Sequence, residues 1–410
     1  METTASSDEI PALDPDLAPP PIRGPAALTH LAYAGADEAA LFRAIERPTP
    51  DLADAAAYAL DAATLHALRQ RPAAARALQA QALAAQRLHR VVDSFATRSA
   101  APLRLLALCA PGDMMANTPL DFITLHLDVR LDLLFVVPGR PLPPVLPEHD
   151  VAFFAAADSD PAVLQRLAAL HARWPRPALN DPARVLRLSR DALATALRRR
   201  PGLNVPPLRR LRRAEALAAT AEFPVLVRPV GAHAGQDLAR AEDAAQLAAH
   251  LATLDAAEVH VSGFVDYAGA DGLYRKYRIA FVAGRPLLCH MAVSAHWMVH
   301  YLNAGMTESE AKRAEEAAAM ATFDGGFARR HAAALAAIAD WAGLDYFQID
   351  CAELPDGRLL LFEADVAGII HMMDPSSLFP YKLPQMRRVM AAFGAMLETA
   401  AARPALRPAA

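Results

Sequence analysis

Hydrophobic and polar positions along this chain follow two periods, one typical of helices and one typical of strands. Between residues 25 and 98 apolar residues recur every three or four positions, as in "DEAALFRAIE" (37–46), which predicts packed helices. After residue 99, short apolar runs end in polar loops, as in "LRLLALCA" (103–110) and "HDVAFFAAADSDP" (149–161). Strands alternating with helices predict a mostly parallel sheet with its ligand site beyond the carboxyl ends of the strands. We therefore expect the loops at 111–119 and 158–161 to border a substrate.

The two ends of the chain and its helical block have their own patterns. Residues 1–24 are acidic and proline-rich, which predicts a disordered leader, and residues 399–410 predict a tail. The helices of residues 25–98 resemble a tetratricopeptide-type (TPR-like) unit, but no convincing internal repeat is present. A helical cap is the favoured interpretation of this all-α domain, and a peptide-binding array is the alternative.

Composition narrows the class of protein. The chain has 410 residues, of which 54% are hydrophobic and 21% charged, and its formal net charge is -4. This charge offers no basic field for nucleic acid, and no apolar run predicts a membrane span. The start lacks the basic and apolar regions of a signal peptide. The three scattered cysteines fit a reducing compartment. We expect a cytoplasmic protein that binds neither nucleic acid nor membrane.

Two strand-like runs around Pro-Asp-Gly form a strong hairpin signal in "DYFQIDCAELPDGRLLLFEAD" (345–365). If Asp356-Gly357 is a two-residue turn, the residue numbers of any two facing positions add up to 713. Asp350 then lies directly opposite Glu363. Asp365 shares the face of Glu363 because side chains alternate along a strand. Three carboxylates on one face favour a cation between them, Mg²⁺ or Mn²⁺, with nucleotide phosphates completing its ligands. The alternative is a solvated, charged hairpin face.

A second segment, "FPVLVRPVGAHAGQDLAR" (223–240), combines a strand, a cation and a glycine loop. Arg228 ends the strand, and Gly231, His233 and Gly235 follow in a loop where backbone N–H groups can approach an anion. These features predict a phosphate clamp. The spacing matches neither the P-loop nor the dinucleotide fingerprint, so an ordinary strand and turn explains the segment equally well by itself.

The order of these elements resembles the ATP-grasp superfamily of carboxylate–amine ligases, over about residues 100–390. The resemblance rests on the Arg228-Pro229 strand with its glycine loop, the strand "VHVSGFVDY" (259–267), the acidic hairpin, and the entry segment "NDPARVLRLSRDAL" (180–193). It implies an α/β (α+β ATP-grasp) fold with a pre-ATP-grasp domain (99–185), a small subdomain (186–268) and a C-terminal subdomain (269–398). It implies ATP and two Mg²⁺ ions (or Mn²⁺), held by Asp350, Glu363 and Asp365.

The resemblance also assigns the nucleotide contacts. It places phosphate on Arg190 and Arg228, where the family has lysines, and on the glycine loop. It places adenine and ribose on the hinge, comprising Gly263, Phe264, Val265 and Asp266. Arginine keeps the charge and grips phosphate bidentately, although its geometry differs from that of lysine. Asp365 stands where the family has an asparagine, which adds negative charge and strengthens the need for cations.

Two further regions supply catalytic candidates. In "GLYRKYRIAFV" (272–282) alternation puts Lys276 and Arg278 on one face. The resemblance implies an arginine on this strand that stabilises an acyl-phosphate and an oxyanion, and Arg278 is our choice, with Lys276 second. A surface strand carrying cations is the alternative. His371 lies in a stretch that borders the acceptor in this family, where it either orients or deprotonates an amine or simply packs.

The segment "CHMAVSAHWMVHYLNAGM" (289–306) is rich in histidine and aromatic residues. On a helix, His296 and His300 would share a face, but a zinc site lacks a third ligand. We interpret His290, His296, Trp297, His300 and Tyr301 as a substrate-recognition loop, with buried, backbone-bonded histidines as the alternative.

The sequence therefore predicts an ATP-dependent ligase that forms an amide through an acyl-phosphate. The expected partners are ATP, a carboxylate and an amine, with a peptide or protein as the substrate suggested by the N-terminal helices. A homodimer stays open. The rival functions are a kinase on the same scaffold and a nucleotide-binding interaction protein that has lost catalysis.

Overall fold

The computed structural model describes residues 9–47, 51–92, 99–157, 161–232 and 235–404. Predictions for residues 1–8, for His233, for positions 158–160 and for the last six residues therefore lie outside the described residues. Every element below belongs to the described part.

Strands and helices alternate along most of the chain. The strands are β1 Ala12–Asp14, β2 Pro21–Ile22, β3 Leu88–Val91, β4 Leu103–Cys109, β5 Val129–Phe135, β6 Val145–Pro147, β7 Val151–Phe154, β8 Ala178–Leu179, β9 Leu203–Asn204, β10 Leu208–Arg212, β11 Val225–Pro229, β12 Ala239–Ala241, β13 Glu258–Gly263, β14 Tyr274–Val282, β15 Arg285–Ser294, β16 Tyr346–Glu353 and β17 Leu359–Asp365. The helices are α1 Gly24–Tyr33, α2 Glu38–Ile45, α3 Leu52–Leu68, α4 Pro72–Ala85, α5 Leu120–Ile123, α6 Pro161–His171, α7 Pro182–Val185, α8 Arg190–Leu197, α9 Arg213–Ala219, α10 Ala244–Thr253, α11 Glu310–Thr322, α12 Phe327–Arg330, α13 Ala332–Ala342 and α14 Lys382–Ala401.

The first sheet confirms the predicted mostly parallel α/β layer. Its order is β2-β3-β5-β4-β7-β8, and only β3 and β5 run antiparallel. The central strands β4 and β7 are buried almost throughout. This burial explains why they appear in the sequence as continuous apolar runs. The loop after β4 is tied to α4 by two hydrogen bonds between Gln79 and Gly112. Its role in binding substrate stays a prediction.

The N-terminal helices are attached to this sheet. Helices α1 to α4 lie between β2 and β3, which are neighbouring strands. Ala57, Leu60 and Leu83 pack into the main core of the sheet, although Leu28 and Leu41 belong to a small core among the helices. The separate all-α domain predicted for residues 25–98 is therefore not confirmed.

Part of the predicted disordered leader is ordered. Within residues 9–24, β1 pairs with β6 and β2 pairs with β3. The N-terminus of α1 is fixed because Asp61 accepts hydrogen bonds from the Arg23 and Gly24 N–H groups and Asp121 accepts one from the Ala26 N–H. The prediction was wrong for this stretch because proline-rich, acidic composition does not reveal pairing with distant strands. At the other end, α14 continues to Ala401, beyond the predicted start of the tail.

Two further sheets follow, with neighbouring strands antiparallel except for the parallel pairing of β9 with β17. The small sheet has the order β10-β13-β11-β12 and its own core, with Val225, Val227, Val259 and Val261 on the face covered by α9 and α10. The large sheet has the order β15-β14-β16-β17-β9. Its core is continuous with that of the first sheet. The mixed α/β fold class is confirmed, whereas the exact domain boundaries stay predictions. In the described part of the chain, no helix is long and apolar enough to cross a membrane.

Candidate active site

The acidic hairpin brings Asp350 and Glu363 together as expected. Asp350 on β16 pairs directly with Glu363 on β17, and Gln348 pairs with Asp365. The predicted turn, however, is wrong by one residue. Leu354 N–H donates to the Arg358 carbonyl, so the loop has three residues, 355–357, and Gly357 has a φ of 80°. The pairing of β16 with β17 contains a bulge, because Cys351 pairs with Leu361 whereas Asp350 pairs with Glu363. The extra residue on β17 compensates for the longer loop, so the carboxylates keep the predicted register.

A row of polar side chains crosses four strands of the large sheet. His290 on β15 pairs with Arg278 on β14, Arg278 pairs with Asp350, and Asp350 pairs with Glu363. Residues beside the row, such as Ile279 and Ile349, are buried on the other face. We call His290, Arg278, Asp350 and Glu363 the polar row. Bulges adjoin it at Arg278 and at Asp350. Bulges of this kind re-aim side chains next to functional sites.

Asp350 is the electrostatic centre of the polar row. Its side chain is 4% exposed, and both oxygens are engaged: Arg278 donates to Oδ1 at 2.8 Å and to Oδ2 at 3.0 Å, and Lys276 Nζ donates to Oδ2 at 2.9 Å. Burial alone would raise the pKa of Asp350, but the two cations hold it far below its ordinary value. The same attraction outweighs burial at Arg278 and raises its pKa. Lys276 and Arg278 therefore share one face, as predicted.

In the part of the chain that the structure describes, Asp365 forms no ion pair with a cation within 4 Å. Its Oδ1 accepts hydrogen bonds from the N–H groups of Ala367 and Gly368. Burial, followed by repulsion from Glu363, raises the pKa of Asp365. Glu363 is paired with Arg190 and Asp350 with two cations, so Asp365 is the hairpin carboxylate whose charge is least compensated. A divalent cation would compensate this charge, and carboxylate oxygens are the ligands that Mg²⁺ prefers.

The arginine pair, Arg190 and Arg228, lies beside Glu363 of the hairpin. Arg190 begins α8 and forms an ion pair with Glu363. Arg228 lies in β11, and both guanidinium groups donate to the Ala232 carbonyl. Burial and the neighbouring Arg190 lower the pKa of Arg228 to about 10. Two adjacent cations opposed by one carboxylate leave a net positive site for an anion.

The glycine loop and the hinge adjoin the arginine pair. Gly231 and Gly235 adopt φ angles of 81° and 76°, which favour glycine over other residues. At the hinge, the Phe264 N–H donates to the Pro224 carbonyl, and the Arg240 guanidinium lies 3.9 Å above the Phe264 ring. Gly263 ends β13, and Val265 and Asp266 follow it. These positions are near one another in the chain fold, but their contacts with a nucleotide stay predictions.

The histidine-rich segment is a strand followed by an irregular loop. His290 lies in β15, whereas His296 is exposed and His300 precedes a 3-10 turn. The helical alignment of His296 and His300 that we considered is therefore wrong. Tyr301 packs 4.8 Å from the His290 ring, and Trp297 packs against Phe264 at 5.8 Å. Burial, then Arg278, lowers the pKa of His290 well below its ordinary value.

His371 follows the hairpin and lies close to charged neighbours. Its Nδ1 accepts a hydrogen bond from the Met373 N–H and is 4.0 Å from Asp374 Oδ2. Burial lowers its pKa, although Asp374 opposes that effect. The ring is therefore neutral near pH 7. The role in orienting or deprotonating an amine stays a prediction.

Sequence reasoning missed several buried polar residues beside the site. Gln348 is 2% exposed and holds the chain after the hairpin by donating to the Gly368 carbonyl at 2.5 Å. Glu316 accepts hydrogen bonds from Tyr301 at 3.0 Å and Tyr381 at 2.6 Å, and Lys382 donates to Tyr301. The alternation of β16 could have identified Gln348, since it lies two residues from Asp350. No local pattern indicated the Glu316 and Lys382 pair, because its members come from separate helices.

The predicted metal ligands are only partly brought together. Among the residues described, no group of three His, Cys, Asp or Glu side chains has the geometry of a metal site. Glu363 and Asp365 lie on one face with uncompensated charge at Asp365, and this pair fits a divalent cation. Asp350 is already satisfied by Arg278 and Lys276. Its direct role as a metal ligand stays a prediction.

No protein-family model matches this sequence, and no curated protein matches it. Among solved structures, the chain is similar to the VanG D-Ala:D-Ser ligase from Enterococcus faecalis, with 12% identity, 72% of this chain and 100% of that chain covered, and a TM-score of 0.44. It is similar to the D-alanine–D-alanine ligase from Bacillus anthracis complexed with ATP (13% identity, 73% and 96% covered, TM-score 0.40). It is also similar to a RimK domain protein ATP-grasp from Sphaerobacter thermophilus (17% identity, 72% and 99% covered, TM-score 0.39).

Proposed function

We propose that this chain is an ATP-dependent carboxylate–amine ligase of the ATP-grasp type. The observation that supports it best is the placement of the acidic hairpin beside the arginine pair, with Arg190 paired to Glu363. An anion site facing a carboxylate site is the arrangement that a metal-bound nucleotide triphosphate needs. The reaction has two balanced steps. A carboxylate oxygen attacks the γ-phosphorus and ADP leaves; an amine nitrogen then attacks the acyl carbon, phosphate leaves, and the nitrogen loses a proton.

The arginine pair and the glycine loop would hold the phosphates. Arg228 is partly desolvated, and its interaction with an anion is stronger in such a site than in water. A Cβ at Gly231 would meet nothing within 4 Å, whereas one at Gly235 would lie 3.5 Å from Met298 Sδ, so the backbone at Gly231 is the more open of the two to an anion. The hinge residues 263–266 would border the nucleoside, with Phe264 held in place by Arg240.

Glu363 and Asp365 would hold Mg²⁺, or Mn²⁺, with Asp350 as the third candidate. The metal would neutralise charge on the β- and γ-phosphates. Meanwhile Asp350 fixes Arg278 and Lys276 by three hydrogen bonds, so that both cations are oriented before substrate arrives. Arg278, with Lys276, would stabilise the acyl-phosphate and the oxyanion formed by amine attack. His371, neutral near pH 7, is the candidate to orient the amine.

The substrates would lie beside the polar row. His290 pairs with Arg278 and packs against Tyr301. His296, Trp297 and His300 belong to the loop that follows β15. We propose a peptide or amino-acid substrate, consistent with the helical block attached to the first sheet.

The test is ADP release by the full chain with Mg²⁺ and ATP across panels of carboxylates and amines, with mass detection of products. We expect an amide whose formation needs both substrates. Glu363→Gln should lower kcat at least about a hundredfold, since it removes a carboxylate charge that would hold the metal and that pairs with Arg190. Glu398→Gln, at an exposed position on α14, is the matched control and should keep full activity.

Other outcomes would select a rival function. A phosphorylated product formed without any amine would indicate a kinase. ATP binding without ADP release in any combination would indicate an interaction protein, and an unchanged kcat in the Glu363→Gln variant would contradict the site assignment.

A further inference from the structure

His260 is a buried histidine that the proposed function has not used. It lies in β13, where it pairs directly with Arg228 on β11 and with Arg210 on β10. Its neighbours Val259 and Val261 fill the core of the small sheet. Because side chains alternate along a strand, His260 therefore faces the opposite side, together with Arg228. The side chain is 5% exposed.

His260 is anchored to helix α8 by a hydrogen bond. Its Nε2 lies 3.0 Å from Asp191 Oδ2. A carboxylate only accepts, so Nε2 carries the hydrogen and a neutral ring keeps a lone pair on Nδ1. Asp191 directly follows Arg190 in the first turn of α8. The imidazole thus connects the helix that carries Arg190 to the sheet that carries Arg228.

Two complementary polar atoms on these facing residues have no partner. Within the described ranges, His260 Nδ1 and Arg228 Nε are both buried and form no hydrogen bond. One is an acceptor and the other a donor, and directly opposed residues have Cβ atoms about 4.5–5.5 Å apart. A side-chain rotation that brings the two atoms within hydrogen-bond distance would let each satisfy the other. Unpaired buried polar groups are unfavourable, so such a pairing stabilises whichever state contains it.

We propose that His260 is the positioning residue of the arginine pair, donating from Nε2–H to Asp191 and accepting from Arg228 Nε–H at Nδ1 when a polyphosphate is bound. This inference rests on the proposed function and names how its anion site is held. Arg190 and Arg228 repel each other, yet both must converge on one anion. The relay from Asp191 through His260 to Arg228 fixes their separation.

The relay requires a neutral imidazole. The charged groups facing His260 are Arg190 and Asp191 from α8, Arg210 from β10 and Arg228 from β11, with Glu258 on its own strand. Burial, opposed by Asp191, lowers the pKa of His260. Protonation at acid pH would place a hydrogen on Nδ1 and remove the acceptor for Arg228. As the pH is lowered, the affinity for the anion should therefore decrease more steeply in the wild type than in a variant that has no imidazole at position 260.

The experiment is calorimetric binding of inorganic tripolyphosphate, and separately of ATP with Mg²⁺, to the full chain at pH 7.5 and at pH 5.0, well below the ordinary histidine pKa. We expect His260→Leu and Asp191→Ala each to raise the Kd for tripolyphosphate about tenfold, the loss of one hydrogen bond to a charged group. The double variant should lose no more affinity for tripolyphosphate than the weaker-binding single variant, because both substitutions interrupt the same relay. His260→Gln supplies a donor and an acceptor; it should stay within about threefold of the wild type at pH 7.5 and show a shallower pH dependence.

The outcomes separate the two proposals. Unchanged affinity in the single variants, additive losses in the double variant, or a Gln variant as weak as the Leu variant would each overturn the relay. Binding of tripolyphosphate with these effects but without ADP release would support the relay and contradict the ligase; a wild type that binds neither ligand would overturn both. If His260→Leu fails to fold, Asp191→Ala decides, because the Asp191 side chain is 38% exposed. Glu215→Gln, an exposed change in α9, is the control expected to leave both Kd values unaltered.

Discussion

Asn180 joins the first sheet to the strand that carries Asp350, and its removal should be among the most damaging single changes in the chain. Its Oδ1 accepts from the Tyr346 N–H at 2.7 Å, and its Nδ2 donates to the Tyr346 carbonyl at 2.8 Å. The residue is 0% exposed and has a φ of 59°, a conformation that asparagine tolerates better than most residues. One side chain thus replaces a neighbouring strand at the start of β16.

The size of the effect follows from these contacts. Asn180→Ala would leave a buried N–H and a buried carbonyl unpaired, at about 1–3 kcal/mol each. Alanine in the left-handed region adds about 1 kcal/mol. We expect a loss of about 3–7 kcal/mol in the free energy of unfolding. Asn180→Gly should be less damaging than Asn180→Ala by about 1 kcal/mol. Glycine also loses both side-chain hydrogen bonds, but it adopts the left-handed conformation without strain.

Urea denaturation at pH 7.5 measures these differences. Asn180→Asp should be at least as damaging as the alanine change, because it loses the donor and places a charge beside Asp345, which already accepts the residue's own N–H at 2.8 Å. Asn204→Ala removes an amide that forms no side-chain hydrogen bond in the described ranges, and is the matched control. A loss below about 1 kcal/mol in Asn180→Ala would refute the reasoning, since it would mean that water satisfies Tyr346 equally well.

Two further predictions concern a close contact and a buried histidine. A Cβ at Gly368 would stand 2.4 Å from Gln348 Oε1, so Gly368→Ala should displace the chain that leads to His371, lower kcat and reduce the free energy of unfolding in urea by about 1–3 kcal/mol. The control is Gly325→Ala, whose Cβ would have nothing within 4 Å and which should change neither quantity. Equal behaviour of the two variants would contradict this prediction. Burial lowers the pKa of His89 from 6.5 to about 4, so the stability present above pH 6.5 is lost as the pH falls towards 4, by about 2 kcal/mol at pH 5. Unfolding at pH 7.5 and 5.0 should show that His89→Gln removes this part of the pH dependence, and a wild-type difference identical to that of the variant would exclude the assignment.

The hairpin shows how far local pattern carries a structural prediction. Alternation of apolar and polar residues correctly placed Asp350 opposite Glu363 and put Lys276 and Arg278 on one face. The loop length was wrong by one residue, and the bulge beside Asp350 cancelled that error. Neither feature has a distinct local signal, because bulge and loop residues here are ordinary strand and turn types.

The ion pairs inside the site were beyond the reach of local pattern. The sequence predicted that metal ions neutralise the three carboxylates, whereas in the folded chain Arg190, Lys276 and Arg278 form ion pairs with two of them. Asp350 is neutralised by residues 72 and 74 positions away, and Glu363 by Arg190, 173 positions away. Such pairs depend on strand order and on the approach of two sheets.

The sequence by itself determined the elements and their faces, because burial imposes a period of two on strands and about 3.6 on helices. It thereby located the acidic hairpin, the cationic strand and the glycine loop. The tertiary structure decided which of these groups meet. It attaches the N-terminal helices to the first sheet, and it pairs Arg190 with Glu363. It also places His260 beside both Asp191 and Arg228. These contacts join residues far apart in the chain, and their geometry is set by packing of the whole fold.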